Sequence, residues 1–129
     1  MGEFGELFKS DDWKKEKHVP VIEVSGKAGK GEVCRVNVSV GKEIPHPNTT
    51  QHHIRWIEVY FLPEGGHFPY QIGKFTFTSH GESTEGPDTS AVYTHPEVSF
   101  SFRTENPGVL FAASYCNIHG LWESRAKIG

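Results

Sequence analysis

Apolar and polar residues alternate in short runs along most of the chain, and no stretch keeps a helical period. Residues 33–40 give the clearest case. Cys34, Val36, Val38 and Val40 share one face, with Arg35, Asn37 and Ser39 opposite. Period-two alternation of this kind predicts a half-buried strand. Residues 54–62 are rich in β-branched and aromatic side chains, and residues 71–79 put Phe75 and Phe77 on one face. Residues 97–104 set Val98, Phe100 and Phe102 against Ser99, Ser101 and Arg103. Residues 109–115 are nearly all apolar, which predicts a buried central strand. Residues 19–24 and 121–128 add two weaker candidates.

Turns are marked by Gly29 and Gly31, by Pro63-Glu64-Gly65-Gly66, by Gly86-Pro87-Asp88 and by Asn106-Pro107-Gly108. About seven strands at roughly 8–12-residue spacing predict a sandwich or barrel. An all-β, immunoglobulin-like antiparallel sandwich is the expected fold. A chain of 129 residues suits one domain spanning residues 1–129, with enough core to need no disulfides.

Charge and hydropathy exclude several classes. The net charge is −3, and no basic run points to nucleic acid or a membrane surface. A mildly acidic protein can still focus a small anion locally. No segment approaches the ~20 apolar residues of a membrane helix. Residues 1–12 carry Glu3, Glu6 and Lys9 and lack the apolar core of a signal peptide. Asn37-Val38-Ser39 and Asn48-Thr49-Thr50 match a glycosylation pattern that needs a secreted context. The expected location is cytoplasmic.

Two cysteines, Cys34 and Cys116, stand against eight histidines. Two cysteines make no disulfide framework, so the placing of the histidines decides. The loop over residues 41–53 holds three of them, and a fourth follows the buried strand within residues 117–120. Ligand residues on loops held by a β scaffold are a common way to build a site. In Cys116-Asn117-Ile118-His119, a thiol and an imidazole three apart can reach one metal if the chain turns between them. His46 is stiffened between Pro45 and Pro47. Two histidines six apart, His46 and His52, can converge on one centre. His52 and His53 point to opposite faces at the start of a strand, so one of them faces the metal, and the spacing leaves open which. His18, after Glu16-Lys17, is unremarkable alone. Thiolate with several imidazoles suits iron, zinc or copper. A structural zinc site closes with four ligands, whereas four histidines and a cysteine suit an ion that keeps an open sixth position.

Three blocks together resemble the superoxide reductases of the neelaredoxin and desulfoferrodoxin family. They are Glu16-Lys17-His18-Val19-Pro20, Pro45-His46-Pro47-Asn48-Thr49-Thr50-Gln51-His52-His53-Ile54 and Ser114-Tyr115-Cys116-Asn117-Ile118-His119-Gly120-Leu121-Trp122, in the family order. The resemblance implies one iron per chain, with His18, His46, His52 and His119 as equatorial ligands and Cys116 as the axial thiolate. It selects His52 over His53. It also implies that Glu16 closes on ferric iron and that Lys17 is the cation beside the open position. The stretch before Glu16 has no cysteine, so the second iron of some relatives is not expected and the neelaredoxin type is. Gln51 stands where many relatives carry an acidic residue.

The resemblance further implies a reaction in which superoxide, one electron and two protons give hydrogen peroxide. Rubredoxin is the implied electron donor and a homotetramer the implied assembly. A dismutase would release oxygen as well, a plain electron-transfer module would not bind small anions, and a zinc-stabilised sandwich would carry no iron. Cys34 is expected in the core. His53, His67, His80 and His95 are expected not to bind the iron. Trp13, Trp56 and Trp122 are expected as core or interface aromatics, with Trp122 close enough to shield the site.

Overall fold

A computed structural model describes residues 2–129, with Met1 outside the described residues. After a short 3-10 turn at Phe4–Leu7 come seven strands: β1 (Pro20–Ser25), β2 (Cys34–Val40), β3 (Ile54–Pro63), β4 (Tyr70–Thr76), β5 (Glu97–Phe102), β6 (Gly108–Cys116) and β7 (Gly120–Ile128). They form two antiparallel sheets, ordered β1-β2-β5 and β4-β3-β6-β7. This is the expected immunoglobulin-like sandwich, with β4 added beside β3.

The core lies between the sheets. Cys34, Val36, Val38 and Val40 of β2 face Ile57, Val59 and Phe61 of β3 and Leu110, Ala112 and Cys116 of β6. Each large apolar side chain removed from water here contributes about 1.5–3 kcal/mol. β6 is central, as its composition predicts, but only one of its faces is fully buried. Leu110, Ala112, Ser114 and Cys116 point inward, and Val109, Phe111, Ala113 and Tyr115 are half-buried on the outer face.

Two local departures matter. β4 ends at Thr76, so Phe77 lies beyond the strand; its N–H still bonds the Arg55 carbonyl at 2.8 Å and its ring enters the core. In β3 the register against β6 slips between Ile54 and Trp56. This bulge lets Ile54 and Ile57, three apart, both point inward, which strict alternation forbids. The bulge lies directly opposite Cys116.

The antiparallel order has a topological result. β1, β3, β5 and β7 begin, and β2, β4 and β6 end, at the same end of the sandwich. The loop over residues 41–53, the turn after Cys116 and the segment before Pro20 therefore meet there.

Candidate metal centre

His18 lies two residues before β1, and its carbonyl accepts a hydrogen bond from the Ser114 hydroxyl of β6 (3.2 Å). His46 and His52 lie on the connection from β2 to β3. Gly41 opens that connection at φ +85°, and a Cβ there would overlap the His46 backbone nitrogen. Only glycine takes this conformation at no steric cost. Cys116 is the last residue of β6, and His119 sits in the turn to β7.

Asn117 ties the two ligand segments together. Its backbone N–H donates to the His53 carbonyl (3.2 Å), its Oδ1 accepts from the His53 N–H (2.9 Å), and its Nδ2 donates to the Gln51 carbonyl (2.9 Å). The sequence flagged the residues around Asn117 but not this role, which depends on a contact 64 positions away.

One donor atom from each of His18, His52, Cys116 and His119 lies within 4.8 Å of the others. His119 Nδ1 is 3.1 Å from His18 Nε2, 3.2 Å from His52 Nε2 and 3.9 Å from Cys116 Sγ. One proton on Nδ1 cannot serve two bare imidazole nitrogens and a sulfur, so lone pairs crowd a common point. Nitrogens bound to one ion at about 2.1 Å stand about 3.0 Å apart at right angles and about 3.4 Å apart in a tetrahedron. The two N···N separations fall in this interval.

His46 lies outside that foursome but beside it, its ring packed edge-on against His18 (4.8 Å between centroids) and His52 (4.7 Å). Its Nδ1–H donates to the Pro47 carbonyl at 2.6 Å, which leaves Nε2 bare. That Nε2 is buried with no hydrogen-bond partner among the described residues. A buried polar atom left alone calls for a missing partner, and a metal ion fits.

Glu16 is turned onto His18. Its Oε1 accepts from the His18 N–H (2.7 Å) and from His18 Nδ1–H (2.5 Å). A carboxylate on the far nitrogen fixes the tautomer and frees Nε2 for a metal. Lys17, half-buried between them in sequence, adds positive charge near His18, His46 and His52. Glu16 and Lys17 are thus beside the donors and not among the four that converge.

The electrostatics favour the neutral form of His18, His46 and His52. Burial holds His46 down at about 4, with His18, His52 and Lys17 adding to the effect. Burial also lowers His18, and outweighs the pull of Glu16 toward the charged form. The Glu16 contact is therefore a hydrogen bond from a neutral ring to a carboxylate. Glu16 is itself held below the usual carboxylate value: burial pushes it up, but the bonds from His18 win. His52 is lowered by burial and then by His119 and His18. Neutral imidazole is the form that binds metal.

Cys34 is in the core. Trp122 is buried and stacks on His18, covering one side of the site, while Trp56 stacks on Tyr115 outside the core. His53 and His80 are buried against each other, and His67 and His95 are exposed.

The desulfoferrodoxin family profile matches residues 10–125. A superoxide reductase of Pyrococcus furiosus is 59% identical over 123 residues, covering 95% of this chain and 97% of that protein. Neelaredoxin of Megalodesulfovibrio gigas is 55% identical, covering 95% of each. The reduced superoxide reductase (neelaredoxin) of Archaeoglobus fulgidus superposes with a TM-score of 0.88 at 59% identity, over 95% of this chain and 98% of that one. A cluster of four histidines and a cysteine at the end of this sandwich, with likeness over nearly the whole length, establishes the relationship: the chain belongs to the desulfoferrodoxin family, alongside superoxide reductases and neelaredoxins.

Proposed function

We propose that the protein is a superoxide reductase, converting superoxide to hydrogen peroxide at one iron held by His18, His46, His52, His119 and Cys116. The observation that carries this reading is the clustering of three imidazole nitrogens and the Cys116 sulfur around one point. Soft thiolate with several imidazoles, five protein donors in all, suits iron with one open position. When bound, the iron supplies the single electron that superoxide must gain.

The chain's residues supply the rest. Cys116 donates charge from the buried side. Lys17 attracts the anion and raises its encounter rate; its ammonium, or a water held by it, delivers a proton to the reduced oxygen. The second proton comes from solvent through the exposed side near His119. Glu16 orients His18, and its carboxylate, once released from His18, would be a further ligand to ferric iron. These roles balance the reaction: one electron and two protons enter, and hydrogen peroxide leaves.

Rubredoxin, or a similar one-electron protein, is the donor on this reading. The turn of residues 117–119 is its point of approach, because Ile118 is 56% exposed directly beside fully buried Cys116. Half-buried Trp56, Tyr60 and Phe111 on the outer face of the four-stranded sheet, with exposed Phe4, offer an apolar patch for self-association, and the homotetramer itself is what the family resemblance implies. Two free, buried cysteines support a reducing compartment, here the cytoplasm. No helix among the described residues is long and apolar enough to cross a membrane. Residues 1–129 are read as one domain.

The test is a titration of the reduced, iron-loaded protein with superoxide, counting iron oxidised, peroxide formed and oxygen released. One iron oxidised per superoxide with no oxygen is expected. Oxygen release with unaided cycling would make it a dismutase, and no oxidation would overturn the reading.

A further inference from the structure

The connection from β4 to β5 runs over residues 77–96 and forms no strand or helix of its own. Unstructured connections longer than about 12–15 residues are uncommon in compact domains and tend to serve function. This one crosses the end of the sandwich where the donors meet. It grips the ligand loop at three points.

First, His80 stacks face to face on His53, with centroids 3.5 Å apart and 6° between planes. Both rings are buried, at 6% and 7% exposure. Second, His80 Nε2 stands 2.8 Å from the carbonyl of Phe77, itself in the core, and Nδ1 stands 3.1 Å from Asn48 Oδ1, so the one proton of the neutral ring bonds one of these two acceptors. The Asn48 amide also donates to the Thr94 carbonyl. Third, Asp88 Oδ1 accepts from the Thr50 N–H (2.8 Å) and Oδ2 from its hydroxyl (3.4 Å). Asp88 does this at φ 58°, the one described non-glycine residue with positive φ. Such backbone is unfavourable for a side-chain-bearing residue and persists where surroundings enforce it.

Asn48, Thr50 and His53 are interleaved with His46 and His52 along the loop. We propose that residues 77–96 brace the ligand loop, with His80 and Asp88 as positioning residues that fix where His46 and His52 present Nε2. Core-anchored Phe77 sets His80, and His80 sets the loop. The inference rests on the metal assignment above.

The test uses the full chain in metal-free form, with ferrous iron as the probe under anaerobic conditions. Three variants are compared: His80→Phe, Asp88→Gly and, as a control at the far end of the sandwich, Ile128→Ala. His80→Phe keeps a ring on His53 and loses both nitrogen contacts. Asp88→Gly removes the carboxylate and relieves the positive φ, so it folds readily. Competition against a chelator should show ferrous affinity lowered about 10–100-fold in His80→Phe and less, but measurably, in Asp88→Gly. Ile128→Ala should lower stability to urea without this loss. In the metal-free protein, NMR of the histidine rings should move His46 and His52 and leave His18 and His119 in place.

Affinity unchanged in both site variants, or lost equally in the control, would overturn the brace. So would ring signals that shift at all four histidines alike. If the unaltered chain takes up no iron, the metal assignment fails instead, and the ring signals still decide the brace.

Discussion

Trp122 stacks on His18, with centroids 4.9 Å apart and 14° between ring planes, while its indole N–H donates to the His119 carbonyl at 3.3 Å. One side chain thus holds two donors that are far apart in the chain. Lys9 lies on the N-terminal segment that pairs with β7, its ammonium 6.0 Å from the Trp122 ring. Trp122→Phe should keep the stack and lose the hydrogen bond, at about 1 kcal/mol. Trp122→Ala should cost about 3–5 kcal/mol. Urea unfolding of the metal-free variants checks both, and equal losses would mean that the stack contributes nothing.

On the proposed mechanism Lys17 attracts the incoming anion. Lys17→Ala should slow the second-order reaction with superoxide by about tenfold and flatten its dependence on salt. Stopped-flow or pulse-radiolysis rates at several ionic strengths would report this. An unaltered rate and slope would remove Lys17 from the proposed mechanism.

Glu16 bonds the ring nitrogen of His18 that faces away from the centre. Glu16→Ala should therefore weaken iron binding about 10–100-fold. In fully loaded protein, the rate with superoxide should stay nearly intact while the ferric spectrum changes. A large rate loss at full loading would give Glu16 a part in the chemistry itself.

His46 sets a pH dependence for the metal-free protein. Its folded value, about 4, lies below the ordinary 6.5. The unfolded chain then binds the extra proton first, so stability holds above pH 6.5 and falls as pH drops. The loss nears completion around pH 4 and amounts to up to about 3 kcal/mol from this residue. Urea midpoints from pH 8 to 4 measure it, and His46→Gln should flatten the slope.

The strands were legible because alternation is a local property. Val36 and Val38, or Phe100 and Phe102, announce their inward face without reference to any partner. The end of β4 was not legible: Phe77 continues the alternation of Phe75, yet the chain leaves the sheet at Thr76 to cross to the other one. The bulge at Ile54 is hidden for the same reason, since it answers to the register with Cys116. At the site, residue types and order showed which imidazoles to consider, and the family resemblance separated His52 from His53. Which ring nitrogen each presents was not readable, because Pro47, Glu16 and Cys116 decide it through space. The parts played by His80, Asp88 and Asn117 are long-range contacts, and a string of turn residues gives no sign of them.

The donors flank both sheets: His18 and His46 adjoin β1 and β2, while Cys116 ends β6 and His119 follows it. His18 and His119 are separated by 101 positions. No hairpin or early fragment of the chain owns a complete set of donors, so the ion cannot nucleate folding as zinc does in a finger domain. The chain must bring both sheets together before a metal ion finds its full donor set. Uptake of metal then reports that assembly is finished, and the bound ion rivets the two sheets together against unfolding from that end.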